Sequence, residues 1–270
     1  PDDGREIAGS FLNQLSSPSA DDLMSMDVKR ILEAAEKVAE ESGQQTGRSQ
    51  EPFYPVWGHE ALPDDPRDLI ASGAGSDVAL LTGTNEDEMA LWGVSGMDSD
   101  QAAEMVARIA DDPDALVDVY RRRLGDATPG WVACAIASDL VFGIPAVRHA
   151  EYRSAHGADT WMYRFSWDSR AFDGLFGAAH ALEIPFTFNT IDQAGVDVFL
   201  GPGDVPTELA ETMHDAWIAF IRDGDPSTST LGAWPRYSPD DRVVMELDEQ
   251  CGLLHDPRAD ERSAWEGVVR

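Results

Sequence analysis

The chain has 270 residues, 43% of them hydrophobic, with eight Trp and ten Phe, which is enough apolar material for a sizeable folded core. Its 50 acidic and 20 basic residues give a formal net charge of −30 that is spread along the whole length. Nucleic acids and anionic membrane surfaces would repel such a chain, so we expect neither as a partner.

The first elements in chain order are a helix, a loop and a strand. Residues 19–40 predict one helix that opens at Ser19 and carries apolar residues at helical spacing. A polar surface loop is expected at 41–51. The apolar run Val78–Thr82, stopped by Gly83, is typical of a strand buried on both faces of a mostly parallel sheet.

The remaining elements alternate between helices and strands. The predicted helices cover 99–125, divided near Pro113, then 135–156, kinked or started at Pro145, then 207–223, ended by Gly224, and 259–269. The aromatic-rich segment 160–167 predicts a second strand, and Val243–Leu247 predicts a short final one. Strands separated by helices indicate the α/β class, here a mostly parallel sheet flanked by helices.

Two strings carry residues suited to hydrolytic chemistry. GTNEDE, at 83–88, ends the first strand, and GAAHALEIPF, at 177–186, follows the second. A carboxylate after one strand and a histidine after a later one match the order of acid and base in an α/β-hydrolase triad. In that arrangement Glu88 would orient the imidazole of His180, and His180 would act as the general base.

Each of these residues also has an ordinary interpretation. Glu88 lies in a run of three acids, which is typical of a solvated loop or a helix N-terminus. His180 lies between alanines, where a histidine is more often structural than catalytic. The G-x-S-x-G elbow that carries the nucleophile is absent from the 270 residues, and the nearest string, GVSGM at 93–97, lacks the final glycine.

The chain resembles the C-terminal half of a type-B carboxylesterase, the family that includes bacterial para-nitrobenzyl esterases and the cholinesterases. The resemblance is carried by five strings in the same order as in the family, at 80–88, 163–165 with 177–188, 216–226, 234–237, and 256–265. It implies that Glu88 is the catalytic acid and His180 the base of a serine esterase. It also implies that carboxylic esters are hydrolysed through an acyl-enzyme, without a metal or an organic cofactor. Met89 stands where the family commonly has glycine.

The resemblance further implies that part of the site is elsewhere. In the family, the serine elbow and the Gly-rich oxyanion loop lie in the N-terminal half, so residues 1–270 would form the C-terminal portion of the domain. We expect the isolated chain to be inactive. We also expect an unpaired strand edge that associates with a missing N-terminal half, a companion chain or a second copy. The alternatives are a non-catalytic binding or adhesion member of the same superfamily, and a truncated gene product.

A deep apolar pocket is also implied, and the candidates for its lining are Trp92, Phe172 and Phe176. Each of the three could equally be a plain core residue. Glu183 precedes an Ile-Pro-Phe string, so we expect its carboxylate to be a hydrogen-bonded brace for the histidine loop.

Only two cysteines are present, Cys134 and Cys251, and they suggest neither a disulfide framework nor a metal site. Reduced thiols and an N-terminus without an export signal favour the cytoplasm. A preceding segment could carry such a signal, which leaves secretion open.

Overall fold

The computed structural model describes residues 2–46 and 53–267, which divide between residues 69 and 70 into two compact units. The helices of the N-terminal unit are α1 Asp2–Gln14, α2 Ala20–Ser25 and α3 Val28–Thr46, and α4 Pro66–Ala71 contains the boundary. Within the N-terminal unit α1 packs against α3. Leu15, Ala34 and Val38 are its buried apolar side chains among the residues described.

The single helix predicted over 19–40 is wrong, because the segment forms two helices. Met26 adopts extended backbone (φ −75°, ψ 150°), and Asp27 starts α3 by accepting the backbone N–H of Lys29 at 2.9 Å. Ser19 does begin α2, through a capping box with Asp22. The loop predicted at 41–51 is wrong for 41–46, which belong to α3, and its residues 47–51 lie outside the described ranges.

The C-terminal unit is built on a four-stranded mixed sheet in the order β1-β2-β3-β4. The strands are β1 Leu80–Asn85, β2 Thr160–Phe165, β3 Val243–Leu247 and β4 Gly252–His255. The first three run parallel, and β4 is antiparallel to β3. The predicted α/β class is confirmed, whereas the prediction that β3 is the final strand is wrong.

Helices fill the connections between the parallel strands. They are α5 Ser99–Ile109, α6 Pro113–Leu124, α7 Pro129–Ser138 and α8 Ile144–Ala155 before β2, then α9 Ile184–Thr187, α10 Asp197–Leu200 and α11 Thr207–Asp223 before β3, and α12 Ala259–Ala264 after β4. One apolar core lies among α5, α6 and α7 and includes Val106 and Ile136. A second core joins the sheet to α11 and includes Phe165, Met213 and Leu247.

Gly83 does not stop the first strand, as the sequence had predicted, because β1 continues through it to Asn85. Gly83 lies opposite Tyr163 of β2, and a Cβ at this position would be 2.3 Å from the Tyr163 carbonyl oxygen. The glycine therefore permits a close approach of two strands. Nor is β1 fully buried as predicted: five of its six residues are only partly buried, and it is an edge strand of the described sheet.

A π-helical turn, Asp139–Gly143, joins α7 to α8. The predicted start at Pro145 is close, since α8 begins at Ile144 with the proline in its first turn. By length and composition alone the run Pro129–Ala155 could cross a membrane. Its most apolar window is 56% buried inside the protein, as expected for a core helix.

Candidate active site

The carboxylate of Glu88 is fixed directly after β1. Glu88 opens a short 3₁₀ helix, Glu88–Trp92, and its side chain is almost completely buried, with 5% of the residue exposed. The backbone N–H of Asn85 donates to Glu88 Oε1 at 2.8 Å. Burial raises the pKa of Glu88, while the hydrogen bonds from Asn85 and His180 oppose that shift.

The loop after β2 is joined to the loop after β1 by backbone hydrogen bonds. Asp87 N–H donates to the Ala178 carbonyl at 3.0 Å, and His180 N–H donates to the Glu88 carbonyl at 3.3 Å. The Ala178 N–H donates in turn to Asp87 Oδ2 at 3.1 Å. Because β1 and β2 are adjacent and parallel, the loops at their carboxyl ends meet at one edge of the sheet.

His180 Nδ1 and Glu88 Oε2 are 2.6 Å apart, the distance of a strong charge-assisted hydrogen bond. With Nδ1 engaged, the opposite ring nitrogen, Nε2, is the one available to a reacting group. No hydrogen bond to Nε2 is found in the part of the chain that the structure describes, and the His180 side chain is 40% exposed. The structure thus brings together the two residues that the sequence singled out as acid and base.

Asn85 links three parts of the site and was not singled out from the sequence. Its side-chain amide donates to the Ala179 carbonyl at 2.7 Å and to Glu183 Oε2 at 2.6 Å. Glu183 is partly buried, so the contact agrees with the predicted brace of the histidine loop. Asn85 lies inside the GTNEDE string, and its position at the end of a predicted strand was the available signal.

Of the three aromatic residues predicted to line a pocket, only Trp92 has a ring contact with His180 among the described residues. Their ring centres are 5.2 Å apart, and Phe142, which the sequence did not single out, lies 5.1 Å from the same imidazole. Phe172 and Phe176 pack on each other at 5.0 Å. Phe172 is 62% exposed, whereas Phe176 is partly buried against the α5–α7 core.

Glu86, the first acid of the run, forms ion pairs with three arginines instead of facing solvent. Arg123 and Arg164 lie 3.1 Å and 3.3 Å from its carboxylate oxygens, and Arg258 also contacts it. Burial by itself would raise the pKa of Glu86, but the three guanidinium groups together hold it below its ordinary value.

Asp87, the middle acid, has the opposite electrostatic environment. Burial and the negative charges of Glu86 and Asp168 raise its pKa to about 7, against a smaller lowering by the Ala178 N–H. The carboxyl packs so closely on Gly177 that a Cβ there would lie 2.5 Å from Asp87 Oδ2. Asp87 therefore holds the histidine loop at a position two residues before His180.

This arrangement can perform general acid–base chemistry. A neutral imidazole oriented through Nδ1 can accept a proton at Nε2, and the buried carboxylate stabilises the imidazolium that forms. In residues 2–46 and 53–267, no cluster of three or more His, Cys, Asp or Glu side chains is placed to hold a metal ion.

Comparisons with known proteins show to which family the chain belongs. The sequence profile of the carboxylesterase family matches residues 11–265. The para-nitrobenzyl esterase of Bacillus subtilis is 32% identical over 78% of this chain and 42% of its own length. The phenmedipham hydrolase of Pseudarthrobacter oxydans is 32% identical over 73% of this chain and 41% of its own length.

A solved carboxylesterase of Geobacillus stearothermophilus superposes with a TM-score of 0.75 at 26% identity, covering 97% of this chain and 54% of that protein. The α/β-hydrolase fold expected from the sequence is therefore confirmed. The chain spans about half the length of the relatives it matches. It belongs to the carboxylesterase family, in the type-B group.

Proposed function

We propose that this chain supplies the acid, Glu88, and the base, His180, of a serine esterase that hydrolyses carboxylic esters. The observation that carries the proposal is the 2.6 Å hydrogen bond between Glu88 Oε2 and His180 Nδ1. Support comes from relatives named as a para-nitrobenzyl esterase and a phenmedipham hydrolase. The serine is proposed to come from sequence outside these 270 residues, since no G-x-S-x-G string is present in them.

The proposed reaction has two steps. His180 Nε2 takes the proton of the serine hydroxyl as the serine oxygen attacks the ester carbonyl, and the protonated ring then gives that proton to the departing alcohol. Water repeats the sequence on the acyl-enzyme, which releases the carboxylic acid and restores the serine. Glu88 keeps the ring in the tautomer with the proton on Nδ1 and stabilises the positive charge in both steps.

The position of β1 in the described sheet supports the proposal that further sequence completes the site. β1 is an edge strand, and the Glu88 loop begins at its carboxyl end. We propose that a further strand pairs with this edge and that the serine approaches the exposed side of His180 from there. Trp92 and Phe142 would then face the apolar groups of the ester.

The test is a turnover assay with para-nitrophenyl acetate. We expect no turnover from residues 1–270 alone, and turnover from the longer protein encoded when the upstream DNA is included. His180→Ala should lower kcat of the longer protein by about 10²- to 10⁴-fold, the usual contribution of a general base. Glu88→Gln should also lower it, because the ring loses its orienting charge.

The chain contains a matched control pair. His255 Nδ1 lies 2.7 Å from Asp241 Oδ1, nearly the distance in the proposed site, but both side chains are largely exposed. His255→Ala should therefore leave kcat unchanged. Turnover by the longer protein that survives His180→Ala would refute the proposal. A longer protein without a serine elbow would favour the non-catalytic binding alternative.

A further inference from the structure

The ring of His180 is held by two aromatic side chains from different elements. Trp92 belongs to the short helix that starts at Glu88, whereas Phe142 comes from the π-helical turn between α7 and α8. The three ring centres form a compact triangle, with Trp92 and Phe142 stacked at 6.3 Å and each about 5 Å from the imidazole. Contacts of this kind restrict rotation of the imidazole about its side-chain bonds.

The π-helical turn determines where Phe142 points. The N–H of Ile144 donates to the carbonyl of Asp139, five residues earlier, instead of four as in an α-helix. Pro145 explains this locally, because its ring has no N–H for the carbonyl of residue 141 and would clash with that carbonyl in a regular helix. The wider turn adds one residue to the helical repeat and so rotates the side chains around it.

Asp139 packs inside this turn, and only glycine at 143 leaves room for it. A Cβ on Gly143 would lie 2.4 Å from Asp139 Oδ1. Asp139 is 6% exposed, and its carboxylate accepts a hydrogen bond from the Tyr120 hydroxyl at 2.6 Å and lies 3.4 Å from Arg258 Nη1. The turn is therefore fixed by a buried polar cluster that has no direct contact with the imidazole among the described residues.

We infer that the turn 139–143 is a positioning element for the base, in which Asp139, packed on Gly143, holds the Phe142 ring against His180. Asp139 is then a positioning residue that acts through Phe142. The importance of this contact for ester hydrolysis rests on the proposed function. The contact itself is independent of it and can be measured without a substrate.

The test follows His180 by NMR in the 270-residue chain, with its signals assigned by their loss in His180→Gln. The readouts are the Cε1–H resonance and the solvent exchange of the Nδ1 proton shared with Glu88. Phe142→Ala should displace the resonance and speed the exchange about fivefold, which corresponds to the loss of an aromatic contact worth about 1 kcal/mol. Gly143→Ala should change both readouts in the same direction.

The double variant Phe142→Ala/Gly143→Ala decides whether the turn acts through the ring. If it does, the pair should change the exchange rate no more than Phe142→Ala alone. Val141→Ala is the matched control, because Val141 lies on the same turn and is 49% exposed. It should leave both readouts unchanged. If Gly143→Ala fails to fold, Asp139→Ala replaces it, since it removes the side chain that packs on Gly143, and the same non-additivity with Phe142→Ala is expected.

Additive effects in the double variant would overturn the inference, as would an unchanged His180 signal in Phe142→Ala or an equal effect of Val141→Ala. The outcome is separable from the proposed function. If the longer protein has no esterase activity but the NMR effects are non-additive, the proposed function is refuted and the positioning element is supported. If turnover depends fully on His180 but the NMR effects are additive, the proposed function is supported and the positioning element is refuted.

Discussion

Replacing Asp87 by asparagine should raise the free energy of unfolding near pH 8 and leave it almost unchanged near pH 4. The folded-state pKa of Asp87 is about 7 against an ordinary value of 3.8, because the carboxyl is buried and faces the negative charges of Glu86 and Asp168. Arg258 and the Ala178 N–H lower it only in part. The asparagine oxygen can still accept the Ala178 N–H, so the variant removes the charge and keeps the hydrogen bond.

The sign follows from proton linkage. Between pH 4 and pH 7 the folded protein keeps a proton on Asp87 that the unfolded chain has released, so the free energy of unfolding falls as the pH rises. One pKa unit corresponds to about 1.4 kcal/mol, so the loss reaches about 4 kcal/mol at pH 7 and then levels off. Asparagine has no such loss, and its advantage over the wild type should grow by about 3 kcal/mol from pH 5 to pH 8.

The assay is urea unfolding followed by tryptophan fluorescence at pH 5, 6, 7 and 8, on wild type and variant side by side. Asp111→Asn is the control, because Asp111 is exposed. That substitution should change stability equally at every pH. The raised pKa of Asp87 would be refuted if the difference in free energy of unfolding between Asp87→Asn and the wild type stayed constant from pH 5 to pH 8. It would also be refuted if the wild type were more stable than the variant at pH 8.

Three further substitutions test close packing and buried hydrogen bonding by urea unfolding. Gly83→Ala should cost about 1–3 kcal/mol or more, since its Cβ would lie 2.3 Å from the Tyr163 carbonyl oxygen. Gly252→Ala in β4 should cost far less, because nothing lies within 4 Å of its Cβ, and equal costs would contradict the close-approach explanation. Tyr120→Phe should cost about 1–3 kcal/mol, because it removes the hydroxyl that donates to buried Asp139 and accepts the indole N–H of Trp265. A neutral result would show that these two hydrogen bonds together contribute little.

Elements with a complete local signal were predicted well from the sequence. The helix over 207–223 was found with both ends, because its apolar spacing is regular and Gly224 ends it in the left-handed conformation. The pairing of Glu88 with His180 was expected for a similar reason. Each follows a strand, and two parallel neighbouring strands bring their carboxyl ends to the same edge.

Features that depend on tertiary contacts were missed. Phe142 lies in an apolar helical run, and its contact with His180 exists only because the π-helical turn changes the helical phase, which periodicity cannot reveal. Gly83 was wrongly predicted to end the first strand. Glycine is needed there because the backbone of Tyr163, on the neighbouring strand, leaves no room for a Cβ, and the sequence alone does not show that contact. The break at Met26 was missed because methionine is a good helix former.

The three consecutive acids at 86–88 show why formal charge is a poor guide to this site. Glu86 forms ion pairs with arginines, Asp87 has a pKa of about 7, and Glu88 is hydrogen-bonded to His180. A strand end followed by a tight turn points successive side chains in different directions, so each meets a different part of the fold. The run of acids resembles a solvated surface in the sequence, but in the structure its three carboxylates differ. Glu86 forms ion pairs, Asp87 joins the two loops through the Ala178 N–H, and Glu88 is the carboxylate proposed to orient His180. Of the three carboxylates, Glu88 is the one hydrogen-bonded to the His180 ring. Glu88→Gln should therefore lower turnover by the longer protein, whereas Asp87→Asn should change chiefly the pH dependence of stability.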